Sequence, residues 1–234
     1  MKSPENASTA PARNGFARDR LVGLAAIAFA VLWVIENVLF TATGAPGYGD
    51  PTESVLAYYA ANRDTVAITS GLVALYLPLL LVFLTGLHGL VEQRGGAGAD
   101  WSRLALAAGV TLSATLVLFN VLQIGLAISA GELTEPTHTF EIIWQIHAAA
   151  FGLAMPMLGA TCIGGAIAAH VSGLTPTWQR VLGLVGGSLL LAAGLGNLAI
   201  ADGSPLIFVG LLGFALWVVW LLATGVRLVR SRRT

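Results

Sequence analysis

Six apolar runs, each long enough to cross a bilayer, limit what this chain can fold into. They fall near residues 21–43, 66–91, 103–130, 139–169, 180–201 and 205–228, with short polar stretches between them. A hydrocarbon core of about 30 Å takes about 20 helical residues at about 1.5 Å rise each, and every run supplies them. Backbone groups in lipid must find partners inside the span, so only helices and closed barrels cross, and these runs lack the alternation of barrel strands. The expected fold is all-α: a polytopic membrane protein built as a six-transmembrane-helix bundle. Charge agrees, since only 10% of the 234 residues are charged, against about 25% in a soluble domain.

The first run is too long for a signal-peptide core of about 7–15 residues and contains Glu36, so it reads as a retained span. One cysteine, Cys162, lies inside the fourth run. It excludes an intrachain disulfide and a cysteine metal cluster.

The net charge is zero, yet its distribution is lopsided. Lys2, Arg13, Arg18, Arg20, Arg94, Arg103, Arg180, Arg227, Arg230, Arg232 and Arg233 fall on one side of six alternating helices, leaving Arg63 alone opposite. By the positive-inside rule that side is the cytoplasm, giving N-in, C-in topology as a multi-pass protein of the cell membrane. Trp101 and Trp178 precede the third and fifth spans, where an interfacial aromatic belt would put them. The mixed polar composition of residues 1–19 reads as a disordered tail, residues 20–229 as the membrane domain and residues 230–234 as a basic tail. Basic residues at both ends would rest on anionic headgroups, making membrane lipids the first expected partners.

The first external connection, residues 44–65, opens with the turn-forming run Gly44-Ala-Pro-Gly-Tyr-Gly49. Asp50 then reads as an N-cap, Pro51 as the first helical residue and Glu53 as the reciprocal partner of a short helix to about Asn62. Val55, Leu56 and Tyr59 share one face, so the helix either lies flat at the outer interface or lids the bundle. Within the spans, Gly23, Ala26 and Ala30, and again Gly183, Gly187 and Gly194, form small-residue stripes that let helix backbones approach. Pro78 and Pro156 are expected to kink the second and fourth spans.

Counting at about 1.5 Å per residue puts Glu36, Asn120, Asn197, Trp144, Gln145 and His147 in one layer just below the outer edge of the hydrocarbon. Trp33, Glu36 and Asn37 share a helical face, Gln123 lies one turn from Asn120, and Asp202 stands at the mouth. A carboxylate at mid-span costs about 2.5–3.5 kcal/mol on insertion scales, which makes Glu36 a functional candidate by default. An interhelical network worth about 0.6 kcal/mol per bond is the alternative that asks for no ligand. His138 and Glu141, spaced i, i+3, resemble half of a metal site, but no ligand set closes and no metal or cofactor is expected. The sequence has no Walker loop, nucleophile elbow or HExxH motif, and no basic domain for nucleic acid.

The segment Ser54-Val-Leu-Ala-Tyr-Tyr-Ala-Ala-Asn-Arg63, the stretch His147 to Phe151 and the turn Ser172-Gly-Leu-Thr-Pro-Thr-Trp-Gln-Arg-Val-Leu-Gly183 together resemble the DUF4386-like families of bacterial membrane proteins common in actinobacteria. The resemblance covers most of residues 20–228. Those families have no established activity, so it implies topology and a bacterial origin and assigns no catalytic residue.

Three functions are compatible with this reading. The leading one is a non-enzymatic protein that takes a lipid or small apolar ligand from the outer leaflet, or assists a membrane partner. The second is an intramembrane enzyme of the terpene-cyclase or isomerase type, with Glu36 donating a proton to an alkene and Trp33 and Trp144 steadying the cation. The third is a small secondary transporter, for which inverted repeats and paired broken helices would be the signature.

Overall fold

The computed structural model describes residues 10–231. Within them lie eight helices and no strand: α1 Ala10–Ala42, α2 Thr52–Ala61, α3 Arg63–Gln93, α4 Ala99–Ala130, α5 His138–Val171, α6 Thr177–Leu195, α7 Asn197–Ala201 and α8 Ile207–Arg230. Six of these, α1, α3, α4, α5, α6 and α8, are long and apolar enough to cross a membrane. Both ends of the described chain share one face with most of its arginines, the basic face. The loop after α1, α2, the α4–α5 loop and α7 occupy the opposite, distal face.

Short connections make sequential spans antiparallel neighbours. Each spanning helix packs on the next, and α8 packs back on α1, so the six form a closed ring. A glycine stands at every seam. Gly86 meets Val22 between α1 and α3, Gly109 meets Leu84 between α3 and α4, and Gly164 meets the Trp101 backbone between α4 and α5. Gly159 faces Gly187, Gly186 faces Gly213 and Gly23 faces Gly225 at the other three seams. A Cβ at Gly23 would lie 2.6 Å from the Gly225 carbonyl oxygen. Lipid offers no hydrophobic drive for helix association, so close backbone contact through small residues supplies it. The expected stripe in the fifth span falls into place here, with Gly194 against the ring of Pro156.

Large aromatic side chains fill the ring: Phe29, Trp33, Tyr76, Phe83, Trp217 and Trp220 are all buried. Phe29 and Trp33 each meet Trp217 edge-on, at 5.3 and 5.2 Å between centroids, a geometry worth about 0.5–1.5 kcal/mol per pair beyond burial. Aliphatic residues such as Leu24, Val31, Val38, Val110 and Val117 point outward. The chain is apolar on both sides of its helices, as a bundle in lipid must be.

Three expectations change. First, α1 begins at Ala10, inside the segment assigned to a tail. A helix already nucleated in the span extends at one hydrogen bond per added residue, and Ala and Arg favour it. Residues 1–9 of the expected tail, and 232–234 of the basic one, lie outside the described residues. Second, the fifth span is not continuous to residue 201: α6 stops at Leu195, Gly196 takes φ −94° and ψ 29°, and α7 starts at Asn197. Gly196 lacks the helical preference to resist the break, and Leu206 packs where its side chain would be. Third, Asp50 does not cap α2; its Oδ2 accepts from the Gly47 N–H at 2.8 Å, and Pro51 precedes the helix without a side-chain cap. α3 contains Pro78 and α5 contains Pro156 within one helix each.

Of the two alternatives for α2, the packed one holds. Val55, Leu56, Tyr58 and Tyr59 are buried with Leu126, Ala127, Ala130, Phe140 and Trp144. The helix caps the distal ends of α4 and α5.

Candidate functional site

The expected polar layer exists but divides into two groups. On the first, the α1 periodicity brings Trp33 and Glu36 inward together, both buried. Tyr76 of α3 is the hydrogen-bonding neighbour of Glu36. Trp33 stacks on Tyr76 at 5.8 Å with 19° between planes. The Glu36 Oε2 atom has no partner among the described residues. Asn37 is half-buried, and its amide donates to the Trp33 carbonyl at 2.9 Å.

The second group is built on α5. Trp144 and His147, one turn apart, stack at 5.1 Å and 16°, and Phe119 of α4 stacks on His147 at 4.0 Å. Tyr48, from the loop after α1, reaches Trp144, His147 and Phe151 at 5.0, 5.8 and 5.5 Å. His147 is only 4% exposed. Neither of its ring nitrogens, nor Trp144 Nε1, has a hydrogen-bond partner among the described residues.

The asparagines behave differently from a network. Asn120 and Asn197 each keep a buried Oδ1 without a partner, and Glu36 bonds to neither. Asn197 opens α7 and lays its side chain over Gly152 of α5, a position that the break at Gly196 creates. Gln123 is buried near the α2 cluster. Two expected members lie elsewhere: Gln145 and Asp202 are exposed. A helix turns about 100° per residue, so Gln145 leaves the face that Trp144 and His147 share.

The sequence reading does not single out Tyr48, Tyr76, Phe119 or Phe151. Tyr76 had a signal, since it is the one tyrosine of four that lies within a span. Tyr48 had none beyond its place in a turn-forming run. It is positioned by the loop clasp at the distal face, where Gly49 and Gly203 pack backbone to backbone and Gly203 adopts φ +84°, a conformation that favours glycine. Thr43 Oγ1 and the Tyr58 hydroxyl, 2.9 Å apart, tie the same loop to α2. Burial raises the phenol pKa of Tyr48, Tyr58 and Tyr59 above the ordinary value; neighbouring phenols add to this at Tyr48 and Tyr59, and the Thr43 bond opposes it at Tyr58. Their hydroxyls therefore stay donors in this layer.

Between the two groups lies a cavity of about 70 Å³ in the ring, walled by Trp33, Asn37, Leu116, Phe151, Leu158 and Phe214 among others. It exceeds the ~30 Å³ share of one water but falls well below the ~150 Å³ that admits benzene. The walls are almost wholly apolar. Chemically the layer offers two imidazole nitrogens, an indole donor, two amide acceptors and a carboxyl group. Such a set orients the polar end of an otherwise apolar molecule. No group of three His, Cys, Asp or Glu residues gathers among the described residues. His138 and Glu141 pair with each other at 3.6 Å at the surface.

Set against family models, curated proteins and solved structures, the chain matches none.

Proposed function

We propose that this chain is a membrane protein that binds a lipid or another small apolar molecule carrying one polar group, in the half of its bundle that faces outward. One observation carries the reading. Six buried polar atoms, His147 Nδ1 and Nε2, Trp144 Nε1, Asn120 Oδ1, Asn197 Oδ1 and Glu36 Oε2, have no partner among the described residues, in the same half of the ring as an apolar cavity. Leaving a buried donor or acceptor unpaired costs about 1–3 kcal/mol, and although others such as Trp220 Nε1, Thr224 Oγ1 and Gln179 Oε1 lie toward the basic face, only this layer sets several in the same half of the ring as a cavity, where a ligand would compensate them. The outward orientation rests on the eleven basic residues of the opposite face.

The test is a stability titration. Purified protein stripped of lipid is mixed with fractions of a membrane extract separated by polarity. An apolar fraction is expected to raise the melting temperature, since a ligand at about 100 times its Kd adds about 2.7 kcal/mol. Stabilisation by no fraction, or only by a water-soluble one, overturns the reading.

A second reading is favoured by Glu36 itself. The carboxyl group sits beside Tyr76, whose ring stacks on that of Trp33, an arrangement suited to protonating an alkene and steadying the resulting cation. Turnover of a polyunsaturated isoprenoid, lost in Glu36→Gln, would favour it. Transport has less support: among the described residues one span is broken, at Gly196, without the second break that a repeat would supply.

A further inference from the structure

The seam between α1 and α8 is tight at one end and open at the other. On the basic side Gly23 and Gly225 bring the two backbones together, and a Cβ at Gly225 would meet Ile27 Cγ1 at 2.7 Å. Toward the distal face the same helices part into a crevice of about 410 Å³ on the outer surface of the ring, lined by Val34, Asn37, Val38, Thr41, Leu211 and Phe214. That volume lies within the range of about 300–1,000 Å³ typical of ligand pockets, which the inner cavity does not reach.

Asn37, Leu211 and Phe214 line the inner cavity as well. These three side chains are thus the wall between the lipid-facing surface and the centre of the ring. Phe214 is half-buried, with its ring edge-on to Trp33 at 5.0 Å. Turning that ring aside is the step that would join crevice and cavity.

The crevice also specifies its occupant. Val34 lies eight residues below Ala42, a depth of about 12 Å, which is the level of hydrocarbon chains rather than headgroups. No charged residue lines it, and its two polar side chains spend their donors on their own helix: Asn37 on the Trp33 carbonyl and Thr41 on that of Asn37, at 2.9 and 2.8 Å. What remains exposed is an apolar slot open to the bilayer.

We propose that α1 and α8 frame a lateral entrance in which one acyl chain of a membrane lipid lies, with only its last few carbons passing between Asn37 and Phe214 into the small inner cavity. This rests on the binding reading above and adds the route and the kind of chain. The polar end of the lipid stays outside the ring, toward the distal face.

The test uses the full chain in nanodiscs of phosphatidylcholine bearing a diazirine along one acyl chain, photolysed and mapped by peptide mass spectrometry. Wild type is expected to carry adducts on Val34, Val38 and Leu211. Phe214→Ala is expected to raise adducts on the inner residues Met155 and Leu158 severalfold, and Phe214→Trp to suppress them. Phe214→Leu, a milder change, is expected to fall between wild type and Phe214→Ala, and Val117→Ala on the far side of the ring is expected to leave inner labelling unchanged. Inner labelling indifferent to position 214, or raised equally by Val117→Ala, overturns the entrance. If that happens while wild type still responds to an apolar fraction, the binding reading survives without this route. If position 214 controls inner labelling but no fraction stabilises the protein, the entrance stands and the binding reading falls.

Discussion

Replacing His147 by phenylalanine should make the bare protein more stable and the functional protein worse. The imidazole is 4% exposed and stacked on Phe119 and Trp144, with both nitrogens unpartnered among the described residues. Relieving one buried donor and one buried acceptor gains about 2–6 kcal/mol at about 1–3 each. The larger ring must fit a packed wall, and overpacking costs about 1–3 kcal/mol, so at the central values the net gain is about 2 kcal/mol. A chain of this size gains about 2–4 °C per kcal/mol, which places the shift in melting temperature at about 4–8 °C upward. The assay is thermal unfolding of lipid-stripped protein in detergent, paired with the titration against the apolar fraction. His147→Phe should start higher and respond less. A fall in melting temperature of similar size would refute the reasoning, because it would mean that the imidazole is hydrogen-bonded inside the folded protein.

Gly23→Val should lower stability by about 1–3 kcal/mol, because its Cβ would press on the Gly225 carbonyl 2.6 Å away. Gly71→Ala, whose Cβ meets nothing within 4 Å, should be neutral or slightly stabilising, and the two melting curves separate the cases. Glu36→Gln should fold like wild type while any proton-initiated conversion of an isoprenoid drops to background; product analysis of both proteins decides it. Cysteine at Glu132 should react with an impermeant reagent from outside intact cells and cysteine at Ala97 should not, both positions being exposed and the native Cys162 being buried; reversed labelling would invert the topology. Tyr48, Tyr58 and Tyr59 have folded pKa values above the ordinary 10.0, so the stability they contribute is complete below that pH and is lost as pH rises through the folded values. Their tyrosinate absorbance should therefore appear late, together with unfolding, and early titration of all tyrosines would contradict their burial.

Hydropathy alone located the six spans because the cost of unsatisfied backbone in lipid leaves no other solution. The small-residue stripes were legible for the same kind of reason: with no hydrophobic drive between helices, glycine spacing marks the seams. The break at Gly196 was not, since an apolar run looks the same whether its helix is continuous or stops beneath a side chain such as Leu206, whose position comes from another segment. Within the site, helical period put Trp33 and Glu36 on one face, and both are buried, while depth brought in Trp144 and His147, which are buried too. Depth alone brought in Gln145, which the same period excludes. Tyr48 was out of reach because it enters from a loop whose path is set by the Gly49–Gly203 contact, a meeting of residues 154 positions apart in the chain. Asp50 shows a subtler limit: its spacing fits a capping box, but the turn at Gly47 competes for the same carboxylate and wins.

Native mass spectrometry of the wild-type protein and His147→Phe, each purified from its own membrane in mild detergent, tests the central claim most directly. The account expects wild type to carry a discrete apolar molecule that survives detergent exchange, and the variant to carry much less of it while remaining folded. Bare protein in both spectra, or equal retention in both, would contradict the claim that the unpartnered groups of the distal layer hold a ligand.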